Sequence, residues 1–216
     1  MKVALIGATG FVGSAILKEL AERKHSIKAF SRSISPDLGF KNVVGVKLDV
    51  NNVDALAVEL NGADVVISAF NPGWTNPSIY DDFLNGAKNI QEAVKKAGIK
   101  RFIVIGGAGS LFVAPGVKVI DTPQFPIEIK PGAQAASEYL EFLQSEKELD
   151  WEFFSPAIEM HQGTSGERTG KYRLGLDEPV VDKDGRSVLS VEDVAVVIAD
   201  EVEKQNFTRR RFTAGY

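Results

Sequence analysis

Val3-Ala4-Leu5-Ile6-Gly7-Ala8-Thr9-Gly10-Phe11-Val12-Gly13 is the stretch whose reading decides the fold. Four apolar residues in succession, without polar alternation, read as a strand buried on both faces, as in a parallel sheet covered by helices. Phe11, Ala15, Ile16, Leu17 and Leu20 then recur at helical spacing and leave Lys18, Glu19 and Arg23 for solvent. The glycines between strand and helix have separate tasks: Gly7 permits a tight turn, Gly10 lets the backbone approach a pyrophosphate, and Gly13 lets the helix pack closely on the sheet. Unpaired amides in the first helical turn, together with the helix dipole, favour negative charge there. The spacing predicts a dinucleotide site built from Gly7, Ala8, Thr9, Gly10, Phe11, Val12 and Gly13; a turn made tight for its own sake is the blander alternative.

Working outward, apolar strand-sized runs at Ile27–Phe30, Val43–Leu48, Asp64–Ala69, Arg101–Ile105 and Trp151–Ser155 alternate with segments of helical period. Asn52–Leu60 has an Asn cap, and Ile79–Ala97 carries Phe83, Ile90 and Val94 on one face before the Gly98 stop. Ala133–Lys147 resumes the helical period, Ser190 caps a final helix, and Arg211–Thr213 offers a last strand. Right-handed crossovers then predict an α/β Rossmann fold, a doubly wound parallel sheet of strand order 3-2-1-4-5-6, in one domain spanning residues 1–216. Two segments break the pattern. Gly106–Gly132 is too rich in glycine and proline for a regular element, and 157–184 is polar and irregular, a candidate C-terminal lobe on the substrate side.

Composition narrows the chemistry. The 216 residues include no cysteine, which removes disulfides, thiolate zinc sites, iron–sulfur clusters and a cysteine nucleophile, and no metal site is expected. With 25 Lys+Arg against 29 Asp+Glu the net charge is −4, which argues against a nucleic-acid partner. No apolar run approaches the roughly 20 residues of a membrane span, and no signal h-region opens the chain, so a cytoplasmic monomer or homodimer is the expectation.

An NAD site usually ends its second strand with Asp or Glu for the ribose 2′-hydroxyl. This chain has Ser31-Arg32-Ser33, whose guanidinium and hydroxyls suit a 2′-phosphate, so NADP(H) is preferred and NAD(H) remains possible. Arg32 as a plain solvated cation is the alternative. Asp49-Val50 is placed to border the adenine, although Asp49 equally suits a cap. At the carboxyl ends of later strands, Ala69, Phe70, Asn71, Gly107, Ser110 and Pro156 are placed to line the nicotinamide half.

Taken with Ser68-Ala69-Phe70, Gly106-Gly107-Ala108-Gly109-Ser110-Leu111, Asp121-Thr122-Pro123, Phe154-Ser155-Pro156-Ala157 and Gly166-Glu167-Arg168-Thr169-Gly170-Lys171-Tyr172, the chain resembles the atypical short-chain dehydrogenase/reductases. It is most similar to the NADH-flavin reductases of the NAD(P)H-binding, NmrA-like group. The resemblance covers nearly the whole chain and implies a reductase related to flavin and biliverdin reductases. It also implies FMN, or another flat conjugated acceptor such as a quinone, as substrate. A regulatory protein of the NmrA kind, sensing NADP without turnover, is the alternative, and a sugar epimerase or dehydratase is a weaker one.

For the reacting end, Ser110 follows three glycines with no helix to cap, Trp74 lies in a polar turn-rich loop, and His161 is a proton donor in the variable segment. Each has an ordinary reading as a turn serine, a packed aromatic or a surface histidine. Phe70 and Phe112 are further aromatics near the mouth. The superfamily's usual acid is a Tyr with a Lys four residues on. Here Tyr80, Tyr139 and Tyr172 are followed at that spacing by Leu84, Leu143 and Leu176, and Tyr216 is the last residue. A flavin ring needs no such acid, because it takes hydride at a ring nitrogen and is protonated from solvent. Asp81-Asp82 reads as a solvated helix start, His25 as a far-edge residue without a role, and Arg209–Arg211 as a solvated edge.

Overall fold

In the computed structural model, which describes residues 1–216, the opening stretch forms strand β1 (Lys2–Ile6) and helix α1 (Phe11–Glu22). There follow β2 (Ser26–Ser31), β3 (Val43–Lys47), α2 (Val53–Leu60), β4 (Val65–Ser68), α3 (Ile79–Lys96) and β5 (Arg101–Ile105). A hairpin of β6 (Phe112–Ala114) and β7 (Val117–Lys118) leads to α4 (Lys130–Gln144) and β8 (Asp150–Ser155). Strand β9 (Arg173–Gly175), helix α5 (Val191–Lys204) and strand β10 (Arg210–Gly215) complete the chain.

The sheet runs β3-β2-β1-β4-β5-β8-β10-β9. The first six positions are the expected 3-2-1-4-5-6, all parallel, with β1 in the interior and Leu5 between Ala29 and Ile67. Two strands extend it: β10 adds a seventh parallel strand and β9 closes the edge antiparallel. Because successive side chains point to opposite faces, β1 feeds two cores. Val3 and Leu5 pack with Ile16 and Leu20 of α1 and Val194, Ile198 and Val202 of α5. Ala4 and Ile6 pack with Leu56 of α2, Phe83 and Ile90 of α3, and Tyr139 and Leu143 of α4.

Local chemistry fixes the ends. Asn52 Oδ1 accepts from the Ala55 amide at 3.1 Å and starts α2, while Ser190 Oγ accepts from the Asp193 amide at 3.1 Å and starts α5.

Three expectations need correction. Gly106–Gly132 is not devoid of regular structure: it holds the β6–β7 hairpin, turned at Gly116 (φ 74°), and three short 3-10 turns. Helix α4 begins at Lys130, because Pro131 fits a first turn, whose amides need no partner within the helix, and it ends at Gln144, short of Lys147. Arg211 is not a solvated edge residue: it is buried, with Nε 3.0 Å from Asp177 Oδ1 and its guanidinium 5.2 Å from the centre of the Phe112 ring.

Candidate active site

The site begins at the first turn of α1. Gly7 has φ 79°, and a Cβ there would stand 2.4 Å from the Ala69 carbonyl oxygen; a Cβ on Gly13 would stand 2.0 Å from that of Gly7. Glycine is required at both, the first for conformation and proximity, the second so that α1 can sit against the β1 turn. In this turn Gly10 N–H donates to Gly7 O and Ser14 N–H to Gly10 O, while the amides of Phe11, Val12 and Gly13 donate to no carbonyl. Helix α1 also has no side-chain cap and no acidic residue in its first turn, unlike α2, with Asn52 and Asp54, and α5, with Ser190, Glu192 and Asp193. The arrangement fits a phosphate, whose oxygens accept from free amides and whose charge suits the helix dipole.

Beside it, Thr9 Oγ1 and Ser31 Oγ share a hydrogen bond of 2.8 Å, and Ser31 Oγ accepts from the Ser33 amide at 3.4 Å. The phosphate loop is thereby tied to the end of β2. Arg32 between them is exposed and forms no ion pair within the chain. Asp49 Oδ1 accepts from the Asn51 amide at 2.9 Å, so this carboxylate builds a turn before α2. It borders an open depression of about 500 Å³ with Asn51, Asn52, Val53 and Asp54, while Val50 packs towards the core.

The residues expected around the nicotinamide divide. The backbone of Ala69-Phe70 lies against Gly7, but the Phe70 ring turns to α3: a Cβ on Gly86 would stand 2.4 Å from it. Asn71 Oδ1 accepts from Gly73 N–H at 2.8 Å. Gly107 is open, with nothing within 4 Å of a Cβ placed there. Ser110 is 2% exposed, and its hydroxyl is shared between Gly107 O at 3.2 Å and Ser155 Oγ at 3.1 Å, so it braces the loop next to buried Pro156. Trp74 is 55% exposed. His161 is exposed and turns its Nδ1 to the Gly163 amide at 3.0 Å, capping a short 3-10 turn.

All four tyrosine hydroxyls are occupied, and sequence spacing did not reveal by what. Tyr80 OH donates to Glu138 at 2.5 Å, Tyr139 to Gln91 at 2.9 Å, Tyr172 to Asp200 at 2.7 Å and Tyr216 to Asp193 at 2.6 Å. Each phenol is pushed above its ordinary pKa: Tyr80 by its bond to Glu138, Tyr139 by burial, Tyr172 by burial and then Asp200, Tyr216 by burial and then Asp193.

The Gly166–Tyr172 stretch is a strap across α1 and α5. Arg168 forks onto Glu19, both bonds 2.8 Å. Asp193 accepts from Thr169 N–H at 3.1 Å, Thr169 Oγ1 at 2.6 Å and Gly170 N–H at 2.8 Å, and Ser190 Oγ donates to Glu167 O at 2.7 Å. Burial by itself would raise the Asp193 carboxyl; these bonds and that from Tyr216 outweigh it and hold it below its usual range.

Sheet order, glycine turn and free amides together define a Rossmann-like dinucleotide-binding protein. The family model described as NAD(P)H-binding matches residues 7–205, and the chain belongs to that family. It is 34% identical over 215 residues to YwnB of Bacillus subtilis (strain 168), covering 99% of this chain and 97% of that one. Among solved structures, a "putative epimerase" from Bacteroides thetaiotaomicron superposes with a TM-score of 0.91 at 45% identity, covering 100% and 96% of the two chains. A "putative NADH-flavin reductase" from Streptococcus pneumoniae TIGR4 does so with 0.85 at 33%, covering 100% and 99%. No helix is long and apolar enough to cross a membrane.

Proposed function

We propose that the protein is an NAD(P)H-dependent reductase, with NADPH preferred, that passes hydride to a flat conjugated acceptor such as a flavin or a quinone. The observation that carries this reading is the state of the tyrosines: no lysine meets a phenol, and carboxylates or burial raise every one of them. Hydride addition to an isolated carbonyl leaves an alkoxide that needs a positioned acid. A conjugated ring spreads the charge and takes its proton from water, which matches a site without an activated phenol. The nicotinamide dinucleotide supplies the hydride. The chain's own part is to hold its pyrophosphate on the amides of Phe11, Val12 and Gly13, and its adenosine end beside Ser31, Arg32 and Ser33.

The resemblance to NADH-flavin reductases supports the same acceptor class. Steady-state NADPH oxidation on adding FMN, riboflavin, a naphthoquinone or biliverdin is the test. Turnover with at least one of them is expected. Tight NADPH binding with no oxidation in any of them would replace this reading with that of a cofactor sensor.

A further inference from the structure

The loop after β4 holds Trp74 in a fixed place without using its side chain. Asn71 and Asn76 each accept from an amide two residues on, Asn76 Nδ2 donates to Asp82 at 2.7 Å, and the Asn76 amide bonds Gly73 O at 3.1 Å. The indole itself lies on Gly132, in the first turn of α4. A Cβ on Gly132 would stand 2.9 Å from Trp74 Cζ3 and 2.8 Å from Ile79 Cδ1. Helix propensity favours alanine over glycine, so glycine here serves packing. The adjoining Ala133 Cβ lies 3.3 Å from the Cβ position of Gly109, so Trp74, Gly132, Ala133 and the glycine loop after β5 form one continuous wall. Yet Trp74 remains 55% exposed, a large residue with a flat ring at the carboxyl ends of the central strands.

We propose that Gly132 is a specificity-determining residue: it seats Trp74 as a platform on which a planar acceptor stacks, and so sets acceptor affinity without touching the dinucleotide. The inference rests on the reductase reading above. A methyl group at residue 132 would meet the indole at 2.9 Å and the Ile79 tip at 2.8 Å, so the packing that seats the indole must shift. Aromatic stacking needs offset rings in close contact, and a displaced platform loses it.

The test is a cycle of Gly132→Ala, Trp74→Ala and the double variant, with Trp74→Phe as the conservative control. KM for FMN and for a naphthoquinone is measured beside KM for NADPH, and FMN binding to the NADP⁺ complex is followed by flavin emission. Gly132→Ala and Trp74→Ala are each expected to raise the acceptor KM about tenfold and leave the NADPH KM within about twofold. The double variant should be no worse than Trp74→Ala, because the glycine acts through the indole, and Trp74→Phe should recover most of the loss.

An unchanged acceptor KM in Gly132→Ala, or additive losses in the double variant, would overturn the assignment while the reductase reading stands. A parent protein that neither binds nor reduces either acceptor would remove both. Should Gly132→Ala fail to fold, Trp74→Ala and Trp74→Phe still decide: an acceptor KM that neither moves contradicts a stacking platform.

Discussion

At the scale of single residues, Arg32 is the residue on which the proposed preference for NADPH rests. It stands where a carboxylate would receive the ribose hydroxyl of NAD, exposed and unpaired, with the bonded Thr9–Ser31 pair beside it. Arg32→Ala should remove one charge-assisted contact to the 2′-phosphate, worth less than about 1.5 kcal/mol at an exposed position and therefore up to roughly tenfold in NADPH affinity, with NADH affinity little changed. Titration of both proteins with both cofactors checks this; equal NADPH and NADH affinities in the parent would mean that Arg32 faces away. The residues legible in sequence were those whose role follows from backbone geometry: Gly7 and Gly13 occupy the tight places that their spacing implied. Side-chain roles were less legible. Ser110 was a candidate for chemistry because no helix follows it, but its partner Ser155 lies 45 residues away, and only the β5–β8 pairing brings the two together. The role of Gly132 as a seat is not legible in sequence, since a glycine beside a proline reads first as a turn.

Among the elements, α5 and β8 each carry a buried carboxylate, with opposite consequences. Asp193 gathers the strap and the C-terminal Tyr216. Asp193→Ala leaves these donors without their charged acceptor and should cost about 2–3 kcal/mol, with faster amide exchange at Thr169 and Gly170; protection equal to the parent would show that Arg168 and Glu19 suffice. Because its folded pKa is lowered, the stability it adds is present above the ordinary carboxylate range and is lost as pH falls through the folded value.

Glu152 on β8 behaves the other way. Fully buried, with Nε of Arg101 at 3.0 Å from one oxygen and no partner on the other, it is pushed up to about 8 by burial, against the pull of Arg101, with Glu201 adding to the rise. Arg101 also donates to the backbone carbonyls of Val202 and Glu201, so one arginine ties the buried Glu152 carboxylate to the end of α5. The folded state therefore holds a proton that the unfolded chain releases near 4.5, and stability should fall as pH rises from about 4.5 to about 8. Glu152→Gln should flatten that slope in a urea-melt series across pH, and an unchanged slope would place the titration elsewhere. Neither carboxylate was legible in sequence, because Glu152 lies within a strand-like run and Asp193 reads as an ordinary first-turn acid.

The whole molecule was legible where periodicity governs. Buried runs alternating with crossover helices fixed six strand positions, because right-handed connections leave few other orders. The β9 edge and the β6–β7 hairpin were not legible, since both are too short to show a period and are held by distant partners, such as Asp177 O for the Phe112 amide and Arg211 for Ser110 O. What the assembled site lacks is the centre of the account: an activated phenol. The most direct measurement is the single-turnover rate of NADPH oxidation by a bound planar acceptor in Tyr80→Phe, Tyr139→Phe, Tyr172→Phe and Tyr216→Phe, each with cofactor binding verified. All four should stay within about tenfold of the parent, equivalent to about 1.4 kcal/mol in the barrier. A loss above about a thousandfold in any one of them, with NADPH binding intact, would show that the protein supplies a tyrosine acid, and reduction of a carbonyl would become the better reading.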